Sequence, residues 1–159
     1  MTLSKTALPG PDDITRVELE NGITVLVRPN FNSPSVVVSG YLQLGALLDP
    51  AGQLGLADFT AMALMRGTAG RDFQEIYRAL ETAGASLGFN GATHTTGFKG
   101  QALVEDLPLL LELLAEALRE PVFPGAQVAR LRSQILTGLA IRAQDTRAMA
   151  SLAFDQLVY

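Results

Sequence analysis

The sequence predicts an α+β fold, a mainly antiparallel sheet with helices packed on it. Three observations carry that reading. Residues 15–44 hold three short apolar runs, TRVELE, ITVLVR and VVVSGYLQL, with the length and composition of strands. Further on, Leu107, Leu110, Leu111, Leu114 and Leu118 recur at the spacing of one helical stripe. Finally, strands and helices come in blocks rather than in strict alternation, which is the order of an α+β chain.

Asn21-Gly22 joins the first two runs. It is the strongest short hairpin signal, because both central positions of a type I′ turn need positive φ. The third run, Ser35 to Leu44, is almost continuously apolar and reads as a central strand covered on at least one face. GALLDPAGQ reads as a loop. A helix is expected from about Gln53 to Arg66, stopped by Gly67, and a second from Asp72, its cap, to Thr82, ending at Ala83-Gly84. Residues 85–104 alternate, are rich in Gly and Thr, and predict two more strands. A helix then runs from Asp106 to Glu120-Pro121. A long one follows Pro124 with Val128, Leu131, Ile135 and Leu139 on one face, and a last one starts near Arg147. No internal repeat or low-complexity linker interrupts this order.

With 159 residues the chain is long enough for one domain with its own core, and 48% apolar with 18% charged residues is not a disordered composition. A net charge of -4 without a Lys/Arg cluster argues against nucleic-acid binding. No apolar run approaches the ~18 residues of a membrane span. Residues 1–14 lack an apolar signal-peptide core and read as a flexible leader. Cytoplasmic location is therefore the default, with a periplasmic or organellar one open if a signal has been removed. The absence of cysteine excludes disulfides, thiolate zinc sites and cysteine nucleophiles.

Within GLADFTAMALMRGT, Asp58, Ala61 and Met62 lie at i, i+3 and i+4. That spacing lets a helix hold two metal ligands and a general base on one side. The residue types do not suit the task. Zinc catalysis takes three ligands from His, Cys, Asp and Glu, and the chain has one histidine and no cysteine. His94, in ATHTTGFKG, reads as a surface histidine of a polar strand. No D-x-D-x-D-G loop offers an oxygen site; Asp106, Glu112 and Glu116 read as a helix cap and a solvated helix face. Ser86 and Ser151 lack evident His–Asp partners. The glycines of GASLGFNGATHTTGFKG are not followed by the Gly-Lys-Ser/Thr of a phosphate loop, and fit strand bulges or close backbone approaches.

In order, LENGITVLV, a valine-rich strand, GLADFTAMALMRGT, ETAGASL and LLAEALREPVF resemble the pitrilysin/insulinase family. These are the inverzincin metallopeptidases, among them mitochondrial processing peptidase and bacterial two-subunit relatives. The resemblance runs from about Thr15 to the end. It implies that residues 15–159 are most of the first of two similar halves, each a sheet with helices on one side, and that a second half is missing here.

The family signature, His-x-x-Glu-His with a distant third ligand, holds zinc and a water that its first Glu activates. Carried onto this chain, Asp58 stands at the first His, Ala61 at the catalytic Glu, Met62 at the second His and Leu139 at the third ligand. Alanine is no base, a thioether is a poor ligand for zinc, and leucine is none. The resemblance thus implies an emptied site with no catalytic residue, metal or cofactor, and with Met62 and Leu139 in contact. It also implies a peptide-binding edge strand at Ser86, Leu87, Gly88, Phe89 and Asn90, to which substrate adds as a further strand. Active members often carry Asn-Ala there, where an ungapped match places Gly88 and Phe89. The function implied is a non-catalytic subunit that pairs with a homologous zinc-bearing subunit and helps enclose peptide. The alternatives are an active metallopeptidase with a rebuilt metal site, and a structural scaffold subunit of a larger complex.

Overall fold

A computed structural model describes residues 10–158, which fall into two compact units, residues 10–34 and 35–158. In the first unit a single 3-10 turn, Pro11–Asp13, is closed by the Gly10 N–H donating to Asp13 Oδ2 at 3.0 Å. Of the leader expected at residues 1–14, residues 1–9 lie outside the described residues, and the remainder holds this turn. Strands β1 (Thr15–Glu18) and β2 (Thr24–Val27) pair antiparallel, with Thr15 opposite Val27.

The connecting turn is not the two-residue type I′ turn that Asn21-Gly22 predicts. Leu19 and Ile23 still pair, the Leu19 N–H donating to Ile23 O at 2.9 Å, so the loop has one more residue, Glu20 to Gly22. Only Gly22 takes a positive φ, +83°. The Asn21 carboxamide oxygen accepts from the Ile23 N–H at 3.2 Å, a local bond that a turn asparagine makes without leaving negative φ. Among the described residues the hairpin forms a two-stranded sheet.

In the second unit β3 (Ser35–Leu42), β4 (Ser86–Gly91) and β5 (Thr96–Leu103) form an antiparallel sheet in the order β3-β5-β4. Leu42 and Gly91 both lie opposite Thr96. The centre is therefore β5, and β3, expected there for its valines, is an edge with Val37 and Tyr41 exposed. Apolarity misleads here because the close approaches are made by glycines. A Cβ at Gly100 would strike the Leu110 side chain, and one at Gly40 the Phe98 ring.

Helices α1 (Leu56–Ala63), α2 (Phe73–Thr82) and α3 (Leu107–Arg119) cover one face of the sheet, as an α+β chain requires. Leu87, Phe89 and Ala102 from the strands meet Ala61, Leu64 and Met65 from the α1 segment, Ile76 and Leu80 from α2, and Leu110, Leu113 and Ala117 from α3. The α3 stripe is rotated from the expected one: Leu113 and Ala117 are buried, whereas Leu111 is 44% exposed. Seven leucines in LPLLLELLAEAL cover most of the helix circumference, so packing selects the buried face.

The helix ends show how local chemistry places α1 and α2. Asp72 caps α2 through a full capping box, with Asp72 and Glu75 exchanging side chain-to-backbone bonds of 2.8 Å. α1 begins three residues later than expected, behind Gly55 at φ +92°. Its cap comes from the segment expected to be plain loop. The Asp49 carboxylate accepts from the Gly55 N–H at 2.8 Å and the Ala57 N–H at 2.9 Å. The last turn, Leu64–Arg66, tightens to 3-10 before Gly67.

Helices α4 (Gly125–Arg142) and α5 (Thr146–Val158) complete the chain. Along the expected α4 stripe Leu131 is buried and Val128 and Ile135 are half-buried, but Leu139 is 54% exposed. α5 buries none of its side chains. Among the described residues no helix is long and apolar enough to cross a membrane.

Candidate functional site

α1 packs on β4, and the approach is closest at Gly91, where a Cβ would collide with the Asp58 backbone. The Asp58 carboxylate accepts a hydrogen bond from the Gly91 N–H at 3.1 Å, which ties the helix to the strand end. One helical turn on, Ala61 is 1% exposed and part of the core, beside a cavity of about 340 Å³ walled by Leu42, Leu44, Leu64 and Thr96. Thr96 donates its hydroxyl to Leu44 O at 2.8 Å, so the wall near Ala61 offers mainly hydrocarbon. Met62 is half-buried.

Leu139 lies on α4, more than half exposed, so it is not embedded among apolar neighbours as the stripe predicted. The link between the two segments that the sequence did not reveal is Arg66. Its guanidinium stands over the Phe73 ring at 5.1 Å and donates to Gln134 Oε1 at 3.2 Å, across 68 residues of sequence.

Among the described residues no three His, Asp or Glu side chains converge on a point that could hold a metal ion. His94 is exposed, in the turn between β4 and β5 rather than in a strand. That turn is a docking point for the segment before α1: Ala46 and Leu47 donate their N–H groups to Ala92 O at 2.9 Å and Thr93 O at 3.0 Å. Gly45 is required there, since a Cβ would strike the backbone of Ala92, His94 and Thr95.

Glu112 and Glu116 are not simply a solvated face. Arg71 pairs with Glu112 at 2.8 Å and with Glu116 in a close contact, and Thr68 donates its hydroxyl to Glu116 Oε2 at 3.0 Å. Glu116 keeps only 20% of its side chain exposed. Hydrogen bonds to Glu112 and then Glu116 raise the Arg71 guanidinium above its ordinary value. The cluster latches the α1–α2 connection onto α3. Asp106 stands at the start of α3 but makes no capping bond, because its backbone enters directly from a 3-10 turn.

Among the described residues, edge strand β4 pairs with β5 alone. Leu87 and Phe89 point into the core, while Ser86, Gly88 and Asn90 face outward. The expected edge residues are thus brought together on one strand, with Gly91 at its end bonded to Asp58.

An antiparallel sheet with helices on one face is the frame of an α+β domain. Over residues 24–157 the chain matches the Insulinase (Peptidase family M16) family, and it belongs to that family. It is 24% identical to cytochrome b-c1 complex subunit 2, mitochondrial, of Mus musculus, over 89% of this chain and 32% of that protein. To the mitochondrial-processing peptidase subunit beta of Saccharomyces cerevisiae it is 25% identical, over 75% of this chain and 26% of that one. A solved structure described as a peptidase M16 inactive domain from Pseudomonas fluorescens superposes with a TM-score of 0.79 at 26% identity, covering 89% of this chain and 34% of that chain. The chain spans between about a quarter and a third of the length of these relatives. The curated relatives are named as mitochondrial, so the cytoplasmic default has no support from them.

Proposed function

We propose that this chain belongs to a non-catalytic insulinase-family subunit, one that pairs with a zinc-bearing homologue and presents β4 to peptide. The observation that carries the reading is Ala61. At the position that the family resemblance assigns to the catalytic base stands a methyl group, 1% exposed and packed into the core. A hydrolytic site needs a group that takes a proton from water, and this position has none. Asp58 and Met62, at the imidazole positions, offer one carboxylate already engaged with the Gly91 N–H and one thioether. The residues present do not fit a zinc centre.

In this reading a second, similar half completes the subunit and the partner supplies the metal. The β4 edge keeps a row of backbone groups for an added strand. Organellar placement is the location favoured by the mitochondrial relatives. A scaffold role within a larger complex is the second reading, and it rests on relatives named as cytochrome b-c1 complex subunits.

Co-expression with a homologue carrying intact His-x-x-Glu-His, with the affinity tag on only one of the two, tests the pairing. The expected result is recovery of both chains in equal amounts after gel filtration. Recovery of the tagged chain alone contradicts the pairing, and recovery only within a large membrane complex favours the scaffold.

A further inference from the structure

The outward face of the β3-β5-β4 sheet carries a single charge. Among the 22 residues of the three strands (8 in β3, 6 in β4, 8 in β5), Lys99 is the one ionisable as a charged group at neutral pH. It is exposed and makes no ion pair among the described residues. In register it stands between Ser39 on β3 and Gly88 on β4, so both flanks are small. Nothing lies within 4 Å of the place a Cβ would take on Gly88. The lane from Lys99 across β4 to the free edge is therefore open.

We infer that Lys99 reads an acidic side chain on a peptide added along β4, at the position opposite Gly88; this rests on the edge-strand reading above. Directly opposed residues of neighbouring strands point to the same face. With strands ~4.8 Å apart, the peptide residue opposite Gly88 stands ~10 Å from the Lys99 backbone. A lysine's four-carbon stem and a glutamate side chain together span that gap, provided that nothing intervenes, and glycine at 88 leaves nothing to intervene. An arginine or lysine of the peptide at the same place would face an unpaired ammonium. The ligand class is therefore an extended peptide with one Glu or Asp on its outward face, flanked by the small polar positions Ser86 and Asn90.

The test uses the full chain and three capped, fluorescently labelled nine-residue peptides, identical except for Glu, Gln or Lys at the centre. Anisotropy titrations give Kd for the unaltered chain, Lys99→Glu and Gly88→Val. An exposed pair of this kind is expected to favour the Glu peptide over the Gln peptide roughly two- to five-fold at low salt, and less at high salt. Lys99→Glu should reverse the order in favour of the Lys peptide. Gly88→Val should bring the Glu and Gln peptides to the same Kd, because its side chain blocks the lane. Equal binding of all three peptides to every variant would overturn the role of Lys99 while leaving the edge-strand reading intact. No binding of any peptide to any variant would overturn both.

Discussion

The Asp58 carboxylate accepts a hydrogen bond from the Gly91 N–H at 3.1 Å, and the Asp58 backbone occupies the space that a side chain at position 91 would need. The two observations describe one contact, by which α1 is seated on the end of β4. Gly91→Ala should therefore destabilise the chain by about 1–3 kcal/mol through overpacking. Asp58→Ala should cost about 0.5–1.5 kcal/mol, the worth of one hydrogen bond. Urea midpoints measure both. A Gly91→Ala midpoint equal to that of the unaltered chain would show that the helix can shift at no cost.

Asp49 holds the start of the same helix. Its carboxylate takes the place of the missing side chain of Gly55 at the α1 start. Asp49→Ala should cost about 0.5–2 kcal/mol, as for the loss of an N-cap. Asp49→Asn, which keeps one acceptor, should cost less. Equal losses in the two variants would mean that the charge rather than the geometry stabilises the helix end.

Arg71→Met should cost about 1–3 kcal/mol by leaving Glu116 with Thr68 as its remaining partner. Hydrogen bonds to Glu112 and then Glu116 raise the folded-state pKa of Arg71 above its ordinary value, so its contribution is fully present below that ordinary value and is lost only as pH rises through the folded pKa. The difference between the unaltered chain and the variant should accordingly hold constant from pH 6 to 9 in chemical denaturation. A difference that shrinks across that window would assign the latch to another group.

Restoring the motif should not restore activity. Asp58→His, Ala61→Glu, Met62→His and Leu139→Glu would supply the family's ligand and base types. The cost concentrates at position 61, where a carboxylate would enter an apolar cavity, and amounts to roughly several kcal/mol without a partner. At Leu139, more than half exposed, a glutamate costs little, contrary to the burial expected from the sequence. Two imidazoles would also need groups placed to orient them. Thermal denaturation with and without zinc should show a destabilised variant with weak zinc dependence. The unaltered chain, after dialysis, should hold well under one zinc per chain by elemental analysis. A stoichiometric zinc lost in Asp58→Asn would revive the rebuilt-site alternative.

Much of the frame was legible because it rests on local chemistry. The Asp72 capping box, the Gly67 stop and the alternation at Leu87 and Phe89 are short-range patterns, and each stands as expected. What was not legible depends on partners distant in sequence. Nothing near Glu116 announces Arg71, 45 residues earlier, and nothing near Asp49 marks it as the cap of a helix that starts behind Gly55, six residues on. β3 was expected at the centre because valine-rich runs usually lie there, whereas the glycines of β5 let that strand take the place. The α3 face was ambiguous because leucine surrounds the helix. Asp58, Ala61 and Met62 were legible as a helix row, but the bond from Asp58 to Gly91 needed the fold.

Peptide hydrolysis measured for this chain alone, for a homologue with intact His-x-x-Glu-His alone, and for the two combined tests the central claim most directly. No hydrolysis by this chain is expected, since Ala61 offers no base, and the pair should hydrolyse peptide faster than the homologue alone. Hydrolysis by this chain alone that is lost in Asp58→Asn would contradict it.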